Sequence, residues 1–259
     1  IEASGENILF GGDDPRIVDL VPSDITVRGN LLVKPQEWRQ KKGSVANLLE
    51  LKNAQRVLIE HNVLDGNWTD IQSGIPVVFT PRNQYGKAPW IIVADVVFRH
   101  NVVKNTPAGF SVNILGADNN FPSRQTARIR IEHNLFLDAR SGVQVIGGVA
   151  DALVITRNTW PAIKGKVLGF DGSRALKTPL TFTGNVFPSG QYGITGANTP
   201  PGPATLAEYT TLVDFTRNVI EKTASVRWPP GNTLVARGTL VDRLDAERRY
   251  RGSPGEVGW

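Results

Sequence analysis

Short stretches of alternating apolar and polar residues recur along the chain, and each closes in the same way: two polar residues or a glycine, an asparagine, then a second apolar run. The segments 24–33, 56–65, 95–104, 128–137, 151–160, 179–188 and 212–221 share this pattern. Their asparagines are Asn30, Asn62, Asn101, Asn134, Asn158, Asn185 and Asn218, separated by 32, 39, 33, 24, 27 and 33 residues. Period-two alternation turns successive side chains to opposite faces and predicts strands. A repeat of this length holding several short strands is one turn of a solenoid. A propeller blade of similar length needs Asn-Gly-type hairpins between its strands, and none is placed that way.

A second strand series follows each asparagine corner, at 7–10, 47–52, 76–81, 110–115, 142–147, 166–170 and 192–195. Every coil therefore carries at least two stacking sheets. Equivalent residues of neighbouring coils lie about 4.8 Å apart, so identical side chains meet. Asparagine suits such a column, because its amide donates to one neighbour and accepts from the next, and it tolerates the left-handed backbone of a sharp corner. The expected fold is all-β: a right-handed parallel β-helix of about seven to eight coils with an asparagine ladder, one domain over 1–259. A Pro-rich excursion is expected at 198–211, with a helical turn near 204–209, and an irregular segment at 232–259. Ile1, Glu2 and Ala3 resemble the tail of a ladder unit, which leads us to expect further coils ahead of residue 1.

Composition agrees. The 26 Gly and 17 Pro disfavour helix interiors, and 40% hydrophobic content supplies a continuous core. With no Cys, disulfides, thiolate nucleophiles and thiolate metal sites are excluded. No apolar run is long enough to span a membrane as a helix. The net charge of +5 owes much to Arg237, Arg243, Arg248, Arg249 and Arg251 near the end of the chain. A nucleic-acid surface would interleave such cations with exposed aromatics along one face, so nucleic acid is not an expected partner. His61, His100 and His133 each precede a ladder asparagine, and stacked positions give a row of imidazoles rather than a convergent metal or triad site.

The stretches GENILFGGDDP (5–15), LVPSDITVRGN (20–30), ELKNAQRVLIEHNV (50–63) and FTPRNQYGKAPW (79–90) resemble those of bacterial secreted right-handed β-helix repeat proteins. That group is a largely uncharacterised family within the broad pectate-lyase-like superfamily. The resemblance covers nearly the whole chain and implies a secreted or cell-surface, monomeric protein whose partner is a polysaccharide. Superfamily members place their sites in a shallow groove along one sheet, walled by long loops.

The longest coil runs from Asn62 to Asn101 and brings in Trp68, Asp70, Thr80, Arg82, Asn83 and Trp90. If Leu49 and Leu51 face the core, Glu50 and Lys52 face out, as does Thr80 in the next coil. Asp13 and Asp14 fall beyond the preceding strand, and Asn113 and Asp118 on the following one. The expected catalytic set is Lys52, Arg82, Glu50 and Asp118; the expected substrate contacts are Asp13, Asp14, Trp68, Asp70, Thr80, Asn83, Trp90 and Asn113. Two chemistries fit: β-elimination on a uronic-acid-containing glycan by a cationic base, with calcium as the optional partner of the carboxylate, or glycoside hydrolysis by two carboxylates. The lyase is the first expectation. The alternative is a non-catalytic carbohydrate-binding or structural, adhesive surface β-helix. Competing structural roles are a Glu50–Lys52 pair, an ordinary turn at Asp13-Asp14-Pro15 and tryptophans that anchor loops.

Overall fold

The computed structural model describes residues 1–40, 45–172, 177–223 and 225–240. Arg243, Arg248, Arg249 and Arg251, and the expected irregular segment beyond residue 240, lie outside the described residues. The chain is a parallel β-helix with three sheets. The first stacks Ile8–Phe10, Leu49–Leu51, Val77–Phe79, Phe110–Leu115, Ser141–Ile146, Lys166–Asp171 and Gly193–Gly196. The second stacks Ser23–Arg28, Ala54–Glu60, Val93–Arg99, Ala127–Glu132, Asp151–Thr156, Thr178–Thr183 and Thr210–Asp214. Every strand pairing in both is parallel.

The third sheet is formed by the short apolar run after each ladder asparagine. Its strands of two or three residues fall into two groups, Leu31–Val33 to Leu135–Phe136 and Val186–Pro188 to Thr233–Val235, joined through bridges from Thr159 to Leu135 and Val186. Glu2 bridges Val33 and so takes a third-sheet position. The segment expected to be irregular from 232 opens with one more rung, Thr233–Val235 against Val219–Glu221. The Pro-rich excursion contains the helix Pro203–Tyr209, which starts after Gly202 and buries Leu206 and Tyr209.

The alternation resolves as the pattern predicts. In the second sheet Ile25, Val57, Val96, Ile129, Leu153 and Leu180 form one inward column, and Val27, Ile59, Phe98, Ile131, Ile155 and Phe182 the other. Identical positions stacking about 4.8 Å apart let aromatics lie ring on ring. Phe136 and Trp160 stack at 4.8 Å, and Phe182 and Phe215 at 4.8 Å, along the axis of the core.

The asparagine ladder is continuous. Each asparagine directs its backbone N–H and its amide Nδ2 to the Oδ1 of the next, from Asn30 to Asn62 at 2.9 and 3.0 Å through to Asn185 to Asn218 at 2.9 and 3.2 Å. An eighth member, Asn232, accepts from Asn218 at 3.0 and 2.8 Å. Asn62, Asn101, Asn134, Asn158, Asn185 and Asn218 are at most 1% exposed. The left-handed corner residue is the one before the asparagine, not the asparagine itself: His61, His100, His133, Arg157 and Arg217 have φ of 52 to 59°. Gly29 and Gly184 hold the same place without the Cβ penalty. The asparagine stays in register to face the ladder, so the strain falls on its neighbour.

A second left-handed column opens the second-sheet strands, at Asp24, Arg56, Asp95, Arg128 and Ala152. Its alternating signs pair at 2.7 Å in Arg56–Asp24 and 2.5 Å in Arg128–Asp95. The corner imidazoles stack as expected of a row, at 5.1 Å for His61 and His100 and 5.0 Å for His100 and His133.

Two predictions follow from these columns. Asn134→Ala removes the acceptor of two buried donors of Asn101, and should cost about 3 kcal/mol in urea unfolding; a loss under about 1 kcal/mol would contradict a ladder that holds the corners. The His100 pKa lies below its ordinary 6.5, first through burial and then through His133, His61 and Arg99, with Glu60 pulling the other way. A depressed histidine contributes stability above the unfolded value and loses it as pH falls through the folded one. Unfolding free energy should therefore drop as pH goes below 6.5, and His100→Asn should flatten that drop.

Candidate functional site

The first sheet's outward face is set by its register. Leu9, Glu50, Val78, Asn113, Gln144, Gly169 and Thr195 stack in one row between inward columns headed by Leu49 and Leu51. The row therefore begins in the expected site region and continues three coils past it.

In the expected region the polar groups are turned toward one another. Glu50 faces outward yet is only 5% exposed. Its carboxylate accepts from Asn47 Nδ2 at 3.1 Å and Thr80 Oγ1 at 3.4 Å, and lies 3.7 Å from the Lys52 ammonium. Burial pushes the Glu50 pKa above its ordinary value; Lys52 and Asn47 oppose this, while Glu6 adds to it by charge and by sharing a hydrogen bond. Glu6 itself accepts from Gln72 at 3.2 Å. It went unrecognised because the sequence pattern shows the first strand only from Asn7 onward.

One coil on, Arg82 donates to Asp118 at 2.8 Å and to Asn119 at 2.6 Å. The Asp118 side chain is fully buried and also accepts from the backbone N–H of Asn83 at 2.7 Å and Asn120 at 2.9 Å. Asn83 bonds Pro122 and Ala88, closing the same loop from the other side. Asp14 accepts from the backbone of Tyr85 and Lys87 at 3.0 and 2.9 Å, while Asp13 accepts from Asp14 N–H at 2.9 Å. Asp70 accepts from Val45 N–H at 3.1 Å. Trp68 is 8% exposed beneath the Arg39 guanidinium, 5.3 Å from its ring centroid. Trp90 is half-buried, its indole N–H enclosed. Trp68 is a loop anchor in this geometry, while part of Trp90 stays exposed. Of the twelve expected residues the structure brings together Glu50, Lys52 and Thr80 in one cluster, and Arg82, Asn83 and Asp118 in another. Asn113 stands apart, with its Oδ1 buried and unbonded in the outward row.

Three coils further along the row the chemistry is different. Gly169 leaves the outward row without a side chain, and a Cβ there would meet Phe110 Cζ at 2.7 Å and Lys166 Cδ at 3.5 Å. Beside the Phe110 ring that covers this position lies a groove of about 350 Å³ lined by Gln144, Lys166, Gly169, Asp171, Tyr192 and Thr195. Among the described residues the side chains of Gln144, Lys166 and Tyr192 have no protein hydrogen-bond partner, and the Thr195 hydroxyl is enclosed without one. Tyr192 lines the groove and is 47% exposed. A slightly larger hollow of about 380 Å³ is lined by Gln36, Arg39, Asn105, Asp138 and Lys164, but its Asn105 donates to Asp138 and to Asp65, and its Arg39 covers Trp68.

No protein-family model, curated protein or solved structure matches this chain. The site must be judged on its own chemistry. Among the described residues no group of three histidine, aspartate or glutamate side chains gathers that could hold a metal ion.

Glu50 supplies the test of this electrostatic picture. A carboxyl with a raised folded pKa contributes stability below its ordinary 4.5 and loses it as pH rises through the folded value. Stability measured by urea unfolding should decline from pH 4.5 upward, and Glu50→Gln should flatten the decline; an unchanged slope would mean that the carboxyl is not buried in its charged form.

Proposed function

We propose that this chain binds an extended polysaccharide along the outer face of the first sheet, as a non-catalytic parallel β-helix with its main subsite at the Gly169 groove. The observation that carries this reading is the unspent hydrogen-bonding capacity of Gln144, Lys166 and Tyr192 in one concave place. A concave site with a few convergent polar groups and a partly exposed aromatic ring matches a sugar, which presents hydroxyls at its edges and C–H groups on its faces. The row of stacked coils suits a linear polymer, because each rung repeats the approach of the last. Secretion or surface display as a monomer, and kinship with pectate-lyase-like β-helices, belong to the same proposal and rest on the sequence resemblance.

Catalysis is left out of the reading for a geometric reason. A proton-abstracting base or an acid–base carboxyl pair must reach substrate. Arg82 and Asp118 are committed to each other, and Glu50 sits beneath Thr80, Lys52 and Asn47.

Titration calorimetry against a glycan panel tests the proposal. Tyr192→Ala should weaken binding by about tenfold, the loss of about 1.4 kcal/mol of stacking and burial. Arg82→Ala should leave affinity unchanged and instead lower stability by about 2 kcal/mol, because it strands the buried Asp118. Loss of binding in Arg82→Ala with Tyr192→Ala unaffected would move the site to the Asn62–Asn101 coil. Release of unsaturated or reducing ends from any glycan would contradict the non-catalytic reading.

A further inference from the structure

We infer that the Gly169 groove selects uncharged sugars and discriminates against uronates; this rests on the glycan-binding reading and names the ligand class of that site. Lys166 and Asp171 stand at opposite ends of one strand, with Gly169 between them, and both line the groove. Five residues of extended chain separate them by roughly 16 Å, so neither neutralises the other directly. Among the described residues neither forms an ion pair, and Asp171 accepts only the N–H of Gly172. Among the described residues the groove thus offers one cation and one anion with no surplus of either, and the other polar side chains lining it are uncharged.

An acidic polymer brings a negative charge with each acidic sugar and requires a surplus of cations along its path. Here an acidic chain that reached Lys166 along the strand would also meet Asp171, and like-charge contact at an interface works against the wrong partner. A neutral sugar meets no such opposition. Its hydroxyls donate to the Asp171 carboxylate, accept from the Lys166 ammonium and do both with Gln144. The Tyr192 ring, 47% exposed, takes an apolar sugar face. Charge at the two ends then orients the ligand without selecting its net charge.

The test is titration of the whole chain with two series at matched ionic strength. One is neutral: oligomers of β-1,3-glucan, β-1,4-xylan and galactomannan. The other is acidic: oligomers of polygalacturonate and alginate. The inference expects a neutral oligomer to bind at least about tenfold more tightly than any acidic one, with an affinity that changes by less than about twofold up to 0.5 M salt. Asp171→Asn should then raise affinity for the acidic series by about tenfold. Tighter binding of an acidic oligomer by the unaltered chain, or no gain in Asp171→Asn, overturns the inference while the glycan-binding reading stands. No binding in either series overturns both.

Discussion

The asparagine ladder is the constraint on which the rest of this molecule depends. Each corner must turn the backbone sharply between the second and third sheets, and the buried amides at that turn need partners. Asparagine supplies them within the column itself: Oδ1 takes the backbone N–H and Nδ2 of the preceding member, while Nδ2 also reaches carbonyls of its own and the previous coil, as Asn62 does with Glu60 and Val27. Because the column has a fixed rise, every other position inherits it. Aromatic rings stack, charged residues meet opposite charges at Asp24–Arg56 and Asp95–Arg128, and imidazoles lie face to face. Register in the first sheet, and so the composition of its outward row, follows from the same rise.

That row separates two kinds of polar surface. Around the first four coils the long loops fold back on the sheet, and a long insertion needs internal hydrogen bonds to hold its shape. Asp118, Asn83 and Asp14 supply them, each accepting backbone N–H groups of a loop. Polar groups spent in this way stabilise the fold and have little left for a ligand. Around the fifth and sixth coils the loops after the first sheet are shorter, the row loses a side chain at Gly169, and the flanking polar groups keep their capacity. Binding is assigned to the second place because hydrogen bonding is largely an exchange, and only an unmade bond adds to affinity.

Most of the architecture was legible in the sequence. Seven ladder members, the alternating core and the outward placement of Glu50 and Thr80 all follow from reading seven similar segments in register. Asn232 was not legible, since it lies only 14 residues past Asn218 and no alternating strand precedes it. The third sheet was foreshadowed only by an apolar run after each asparagine, its strands being too short to show a period. The site is less legible than the fold. Loop length pointed to the Asn62–Asn101 coil, but length says nothing about whether a loop's polar groups are already bonded. The groove had a signal in the sequence: aligning the second strand series places Gly169 between Gln144 and Thr195, a break in a row of amides and hydroxyls.

Hydrogen–deuterium exchange with and without a bound oligosaccharide tests the central claim most directly, because it maps where the ligand sits without altering the protein. The account predicts slower exchange confined to Lys166–Asp171, Gly193–Gly196 and the neighbouring Ser141–Ile146 strand, with Leu49–Leu51 and the Arg82 loop unchanged. Slower exchange at Leu49–Leu51 and around Arg82, with the Gly169 groove unaffected, would contradict it.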